Sequence, residues 1–557
     1  MAIATSTARK RWVVRDAPEL VPAGAWPPLI GRLLALRGIC TADDAQLFFG
    51  EAPAGPIALP DLDRAVDRLA RACRAGETVA VFGDFDVDGV TAAAILTEGL
   101  SALGARPLPY LPHRVDEGYG LNTEAIDSLR QLGATLLVTA DCGTSSIDEI
   151  RHAGRLDMET IVLDHHTVPP QLPSAIAIVN PKRVDGPSEE PAACGVAYYV
   201  LQALYQALGR QADGARLIEL VALGTVCDLA PLTGENRRLV RDGLAALRKT
   251  ERPGLRALLA VAAVDAARAG TEAIGFALGP RLNAAGRMAH ARLAFDLLTA
   301  RDDDRARELA AELDGLNRER QQATEAAHAL AAELAGEEGD APLLMIGHED
   351  FPLGIVGLVA SRLVDAYHRP AVVYGRGEDE SRASCRSIEE FHITDALRAR
   401  PELFERFGGH RAAAGFTARN ENLPAIKEHL LAHAAGELAG LDLRPAVEID
   451  AELPLASLRG EEIRWLAQMA PHGIGNPEPC FLSRNVLVLE RQAVGADGAH
   501  LRLKLRDGAV VWPAIAFRQD GDGIEEGGCV DVVYGLGADR MISDGLELRV
   551  LDVRPAD

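Results

Sequence analysis

Residues 78–89, Thr78-Val79-Ala80-Val81-Phe82-Gly83-Asp84-Phe85-Asp86-Val87-Asp88-Gly89, join a short apolar run to a turn dense in carboxylates. The run Thr78 to Phe82 has the length and β-branching of a buried strand, and Val90 to Leu103 behind the turn reads as helix. The pattern recurs twice. Leu136 to Ala140 (LLVTA) leads into Asp141-Cys142-Gly143, and Thr160 to Leu163 (TIVL) leads into Asp164-His165-His166. Short apolar strands separated by helical segments predict a parallel sheet covered on both faces. Ligands of such sheets bind outside the carboxyl ends of the strands. Three strands thus deliver acids, and one delivers imidazoles, to one edge.

Ionised carboxylates crowded in one crevice repel each other unless cations neutralise them. Divalent metals do so, and imidazole suits Mn²⁺ better than the all-oxygen sphere that Mg²⁺ prefers. Several carboxylates and a histidine suit two ions, which can clamp a phosphate, activate water and stabilise a leaving oxygen. Taken singly the motifs are weak. DHH is a tripeptide, and DxDxDG opens calcium loops, although here a strand precedes it and no glutamate follows at the required spacing. The expectation rests on all three following strands in one domain.

The chain of 557 residues is too long for one core. Its texture divides it into an N-terminal segment (1–55), a catalytic α/β domain (56–250), a helical region with a connector helix (251–338), a second α/β domain (339–442) and a β-barrel (443–557). The connector is expected near 296–338, rich in Ala, Leu, Glu and Arg with almost no breakers. Pro342 to Ile346 and Ala371 to Tyr374 are expected strands of the second α/β domain, and Ile355 to Tyr367 its helix. Leu501 to Leu505 and Leu546 to Val550 alternate apolar and polar residues, as barrel strands do. Prolines 18, 22, 27, 28, 53, 56 and 60 punctuate the N-terminal part.

No apolar run is long enough to span a bilayer, and MAIATSTARKRWVVRD lacks the apolar core of a secretory signal, so the expected compartment is the cytoplasm. The eight cysteines form no CxxC pair, which excludes a zinc ribbon and a disulfide framework. The net charge of −23 counts against a protein that coats nucleic acid with one large basic face. It is compatible with a local basic groove.

The motifs resemble those of the DHH phosphoesterase superfamily: GDFDVDG its first, TADCG its second, DHH its third, and Gly224 to Leu232 (GTVCDLAPL) its fourth, with Asp228 as the acid. Further stretches are similar to the bacterial RecJ family of single-strand-specific exonucleases. These are Pro112-His113-Arg114 with Glu117-Gly118-Tyr119-Gly120, Arg281-Leu282-Asn283-Ala284-Ala285-Gly286-Arg287, Gly408-Gly409-His410 of a DHHA1 domain, and Gly473 to Phe481 before an oligonucleotide-binding (OB) barrel. The resemblance covers nearly the whole chain. It implies a parallel-sheet DHH domain, a long connecting helix, a smaller α/β DHHA1 domain and a C-terminal OB-like barrel. It implies that Asp86, Asp88, Asp141, His165 and Asp228 hold two divalent ions, Mn²⁺ or Mg²⁺. Asp84, Asp164 and His166 are then adjacent catalytic-motif groups that bind metal, orient ligands or touch the scissile phosphate.

The implied activity is hydrolysis of single-stranded DNA from the 5′ end, in repair and recombination. Implied partners are the DNA strand, single-strand-binding protein and a RecQ-type helicase, with a monomer as the expected state. The candidate strand contacts are His113, Arg114, Tyr119, Arg281, Asn283, Arg287, Arg382, Arg386, Gly408, Gly409 and His410. Arginine forks fit phosphate oxygens, glycine amides cradle anions, and the Tyr119 ring offers a stacking face. Each taken alone reads as readily as surface or turn chemistry, and Tyr119 as a core residue; Trp512 and Phe517 read as barrel core. Two other functions compete: a phosphodiesterase of short oligonucleotides or cyclic dinucleotides, which needs neither connector nor barrel, and a non-catalytic scaffold, which would have lost carboxylates.

Overall fold

The computed structural model describes residues 10–16, 22–51, 57–183, 186, 190–211, 214–495, 498–519, 521, 523–538 and 545–556. The first nine residues and prolines 18, 53 and 56 lie outside this set. The chain forms two compact units, one comprising Ala58–Asp228 with Asp242–Arg444, the other Arg9–Ile57 with Leu229–Arg241 and Pro445–Asp557.

The first unit opens with a five-stranded, all-parallel sheet. Its order is Arg106–Tyr110, Thr78–Gly83, Leu136–Ala140, Glu159–Leu163, Ala177–Val179. The three strands expected from the sequence lie side by side at its centre. The strand Arg106–Tyr110 was not anticipated, because Pro107 and Pro109 cannot donate to a ladder. It is an edge strand, paired on one side alone, where missing donors are tolerated. The helix Val87–Ala102 is buried along most of its length, so its sequence is nearly uniformly apolar.

The connector falls into two pieces, Arg292–Thr299 and Asp303–Glu337. Asp302 causes the break. Its carboxylate accepts from the Arg305 N–H at 2.9 Å and caps the second helix. Ala327, Ala331 and Ala335 of that helix pack on Leu344, Ile346, Val359 and Leu363. The connector is thereby part of the second α/β core rather than a free strut. The sheet there runs Arg406–Gly409, Ala413–Arg419, Glu380–Arg386, Ala371–Arg376, Leu344–His348, and its last pair alone is parallel.

In the second unit, Phe481–Val494, His500–Asp507, Val510–Phe517, Leu546–Pro555 and Cys529–Ala538 close into a barrel through the Phe481–Val494 to Cys529–Ala538 pairing. Helices Pro28–Ala35 and Ala42–Phe49 belong to this unit, and Leu33, Leu34 and Ala45 join its core. Trp512 is in that core, as expected. Phe517 is not: its ring is 45% exposed, edge-on to His500 at 5.3 Å. Among the described residues no helix is long and apolar enough to cross a membrane.

Candidate active site

The acids sit where the strands end. Asp86 caps the helix Val87–Ala102, accepting from the Asp88 and Gly89 N–H groups at 2.9 and 3.1 Å. Asp88 lies in the first turn, and its two oxygens accept from the Ala193 and Cys194 N–H groups at 2.7 and 2.9 Å. Asp141 occupies the left-handed region, with φ of +68°, a strained position for a residue with a Cβ. Asp164 Oδ1 accepts from the His165 and His166 N–H groups at 2.8 and 3.1 Å, and its Oδ2 from the Thr144 N–H at 3.0 Å. Asp164 therefore shapes the loop. Asp228 follows the helix Gly214–Cys227. Gly224 of that helix has to be glycine, since a Cβ there would lie 2.8 Å from Asp88 Oδ1 and collide with Thr91 Oγ1.

These side chains converge. His165 Nε2 lies 3.2 Å from Asp141 Oδ1, 3.7 Å from Asp88 Oδ2 and 3.8 Å from Asp228 Oδ2. Three overlapping groups, Asp88 with His165 and Asp228, Asp141 with His165 and His166, and Asp84 with Asp86 and Asp141, each bring ligand atoms within 4.8 Å of one another. Asp84 Oδ1, Asp141 Oδ1 and His165 Nε2 are buried without any hydrogen-bond partner. Buried polar atoms are normally paired. Lone pairs aimed at a common point from oxygen and imidazole donors fit a divalent cation.

The electrostatics agree with that fit. Burial, and then the Asp86 charge, push Asp88 up to about 6. Burial and then Asp88 push Asp228 up to about 9. Asp84 and Asp141 rise well above the usual carboxylate range, through burial and the neighbouring acids. Burial, followed by His166, lowers His165 to about 3, so its imidazole is neutral and able to ligate. His166 behaves oppositely: burial would lower it, but the hydrogen bond to Asp164 at 2.8 Å raises it. The Tyr119 hydroxyl lies 3.0 Å from His166 Nδ1 and donates to the Asp141 carbonyl at 3.2 Å. The residue is 53% exposed, so Tyr119 is not a core residue.

The basic candidates divide. Arg114 stacks over Phe85 at 4.5 Å and feels the charges of Asp84 and Asp86. Arg287 is pushed down to about 9 by burial and then by its neighbours Arg114, Arg320 and Arg386. Four guanidiniums thus gather, and two of them, Arg114 and Arg287, feel the acids. His410 feels His166 and Lys182, so the second α/β domain presents it to the same edge. Gly409 before it has φ of +144°, and a Cβ there would strike the Ala413 carbonyl; Gly408 precedes it in the Arg406–Gly409 strand.

Arg281 is drawn elsewhere. It is paired with Asp314 at 2.9 Å and donates to the Ala277 carbonyl at 2.7 Å. Asn283 is half-buried on the same helix, Gly279–Met288. Arg382 donates to the Val115 carbonyl at 2.9 Å, tying the second α/β domain to the loop behind Arg114. His113 is engaged by Asp116 at 2.8 Å, and its ring lies tilted 5.8 Å from that of His290. The sequence reading missed Arg320 and Lys182. Lys182 follows the strand Ala177–Val179, so the strand-end rule could have found it; Arg320 is hidden among the charges of a long helix.

Comparison with known proteins places these features in a family. Residues 78–225 match the DHH family N-terminal domain, 340–435 the DHHA1 domain and 449–545 the RecJ OB domain. The chain is 36% identical to the single-stranded-DNA-specific exonuclease RecJ of Salmonella typhimurium, over 91% of this chain and 92% of that protein. It is 35% identical to the Bacillus subtilis RecJ over 91% of its own length, but spans 65% of that longer protein. Among solved structures it is similar to RecJ of Thermus thermophilus in complex with Mn²⁺, with a TM-score of 0.83 and 31% identity over 98% of this chain and 80% of that one. The Mg²⁺ complex of the same protein matches with a TM-score of 0.77, at 30% identity over 98% of this chain and 79% of that one.

Proposed function

The chain belongs to the RecJ family of single-stranded-DNA-specific exonucleases, and from that premise we propose that it removes nucleotides from the 5′ end of single-stranded DNA by two-metal hydrolysis. Divalent-metal dependence follows from the family and from the donor set. We assign the ligands as Asp86, Asp88, Asp141, His165 and Asp228, with Asp164 as the group that fixes the histidine loop. The observation that carries the reading is the pair of buried, unpartnered atoms Asp141 Oδ1 and His165 Nε2, 3.2 Å apart. When bound, the ions supply Lewis acidity toward water and phosphate oxygens.

The chain's own groups do the rest. Arg114, Arg287, Arg320 and Arg386 hold strand phosphates beside the acids, giving a charged seat for the end of the strand. His166, with Nδ1 held by Asp164 and Tyr119, is placed to donate a proton toward the leaving oxygen. Gly408, Gly409 and His410 close on the phosphate from the other domain. Arg281 and Arg382 position the walls rather than the strand. The barrel carries the trailing strand. Action with single-strand-binding protein and a RecQ-type helicase, in the cytoplasm and as a monomer, belongs to the same proposal.

End-labelled strands test it. Single-stranded DNA should be degraded from the 5′ label with Mn²⁺ or Mg²⁺, duplex and RNA should persist, and chelator should stop the reaction. Faster cleavage of a dinucleotide than of a long strand would replace this reading with the short-substrate one.

A further inference from the structure

The first unit holds a second cavity of about 870 Å³, at the opposite ends of the two helices that carry the acids. Glu98 lies ten residues beyond Asp88 on Val87–Ala102, and Glu219 nine before Asp228 on Gly214–Cys227. At 1.5 Å per residue the cavity is roughly 15 Å from the acids along either helix. Its floor is Arg252, whose side chain is wholly buried. Arg252 donates to Glu98 at 2.6 and 3.0 Å, to Glu219 at 2.9 Å, and to the Leu298 and Arg216 carbonyls at 2.7 and 2.9 Å. That fork is fully used and its charge is answered by two carboxylates.

The rim is different. Arg216, Lys249 and Arg301 line the cavity and are exposed. None of their side chains has a hydrogen bond or ion pair among the described residues, and Glu251 is the one acid beside them in the lining that the floor does not use. With Glu98 and Glu219 both against Arg252 the floor carries one net negative charge, and Glu219 also feels Arg216, so the rim leaves a small cationic surplus in a chain of net charge −23. Tyr205, Leu217 and Pro253 add an apolar wall. A volume of several hundred Å³ with an apolar wall and a few convergent charges is what a small-molecule site needs.

We propose that this cavity binds a free nucleoside phosphate, with the phosphate on Arg216, Lys249 and Arg301 and the base against Tyr205 and Leu217. A ligand there bears on both helices that present metal ligands, through Glu98 and Glu219, so the site is built to adjust the nuclease from a distance. Binding at the rim stands apart from the nuclease assignment, whereas its effect on cleavage rests on the proposed function.

Calorimetric titration of the full chain with dAMP in chelator tests it, since no turnover occurs and the acid cluster repels the ligand. One saturable site is expected. It should weaken at least tenfold in a Lys249→Ser/Arg301→Ser double variant that keeps the wild-type melting temperature and basal nuclease rate, and be unchanged in Arg287→Ala. If the double variant melts lower, Arg301→Gln alone gives the same comparison. Absence of saturable binding at millimolar dAMP, or equal binding by the variants of the rim, overturns the proposal. Loss of binding in Arg287→Ala would move the nucleotide to the catalytic groove, and displacement by a long oligonucleotide would make the rim a strand track; either also overturns it.

Discussion

Replacing Asp228 by asparagine should stabilise the metal-free protein while destroying its response to metal. No hydrogen bond is made by the Asp228 carboxylate among the described residues; the neutral His165 imidazole lies 3.8 Å away, and Lys182 is the cation whose charge it feels. The substitution thus removes charge at nearly constant volume. The folded value of about 9 lies above the ordinary 3.8, so folding disfavours the ionised form. The sign follows: the group is harmless below pH 4, and its stability contribution is lost as pH rises toward 9. At pH 7 the gap from 3.8 is about three units, worth about 4 kcal/mol at 1.36 kcal/mol per unit. The compact unit that holds Asp228 exceeds the 150–250 residues for which this is a rise in melting temperature of about 8–16 °C, so a rise below about 8 °C is expected. The assay is thermal unfolding in chelator across pH 4 to 9, repeated with Mn²⁺. The variant should match wild type at pH 4, exceed it at pH 7, and gain little from Mn²⁺, whereas wild type gains much. A variant less stable than wild type at pH 7, or a difference independent of pH, would refute the account of Asp228 as a buried carboxyl that ionises only beside a cation.

His165→Ala should lower turnover at least about a thousandfold while leaving binding of single-stranded DNA intact, read by rate and by fluorescence anisotropy. Arg287→Ala should weaken strand binding about tenfold and reduce the salt slope by about one, whereas Arg281→Ala should leave both unchanged and cost about 1 kcal/mol of stability, because Asp314 Oδ1 loses its partner while Arg318 still holds Oδ2. Tyr119→Phe should lower kcat about tenfold with KM unchanged, since it frees His166 without touching the strand's phosphates.

The strands that end in acids were legible because a buried parallel strand has to be apolar, and a carboxylate that follows it is conspicuous. The edge strand Arg106–Tyr110 was not legible, because its two prolines are breakers in any local reading and only its edge position excuses them. Among basic residues, sequence gave no means to tell Arg287 from Arg281, six residues apart on one helix. One faces three other guanidiniums, the other an aspartate 33 positions away. That distinction is tertiary. Phe517 failed for the same reason: an aromatic residue on an alternating barrel strand has a definite face, but which face is wet depends on the closure of the barrel.

The charge of −23 looked unsuited to a nucleic-acid enzyme, and the site resolves the difficulty. Electrostatic attraction for a strand depends on the field in the groove rather than on the sum over the chain. Here Arg287 feels Asp86, Arg114 feels both Asp84 and Asp86, and Arg320 and Arg386 gather around Arg287. Without cations the acids that stay ionised offset part of the arginine charge, and those raised by burial take up protons instead. With the carboxylates neutralised by divalent ions, the same arginines are left unopposed. On the proposed ligand set the acids would do more than hold metal: ions seated there would strengthen the arginines' hold on a strand at the point where it is cut.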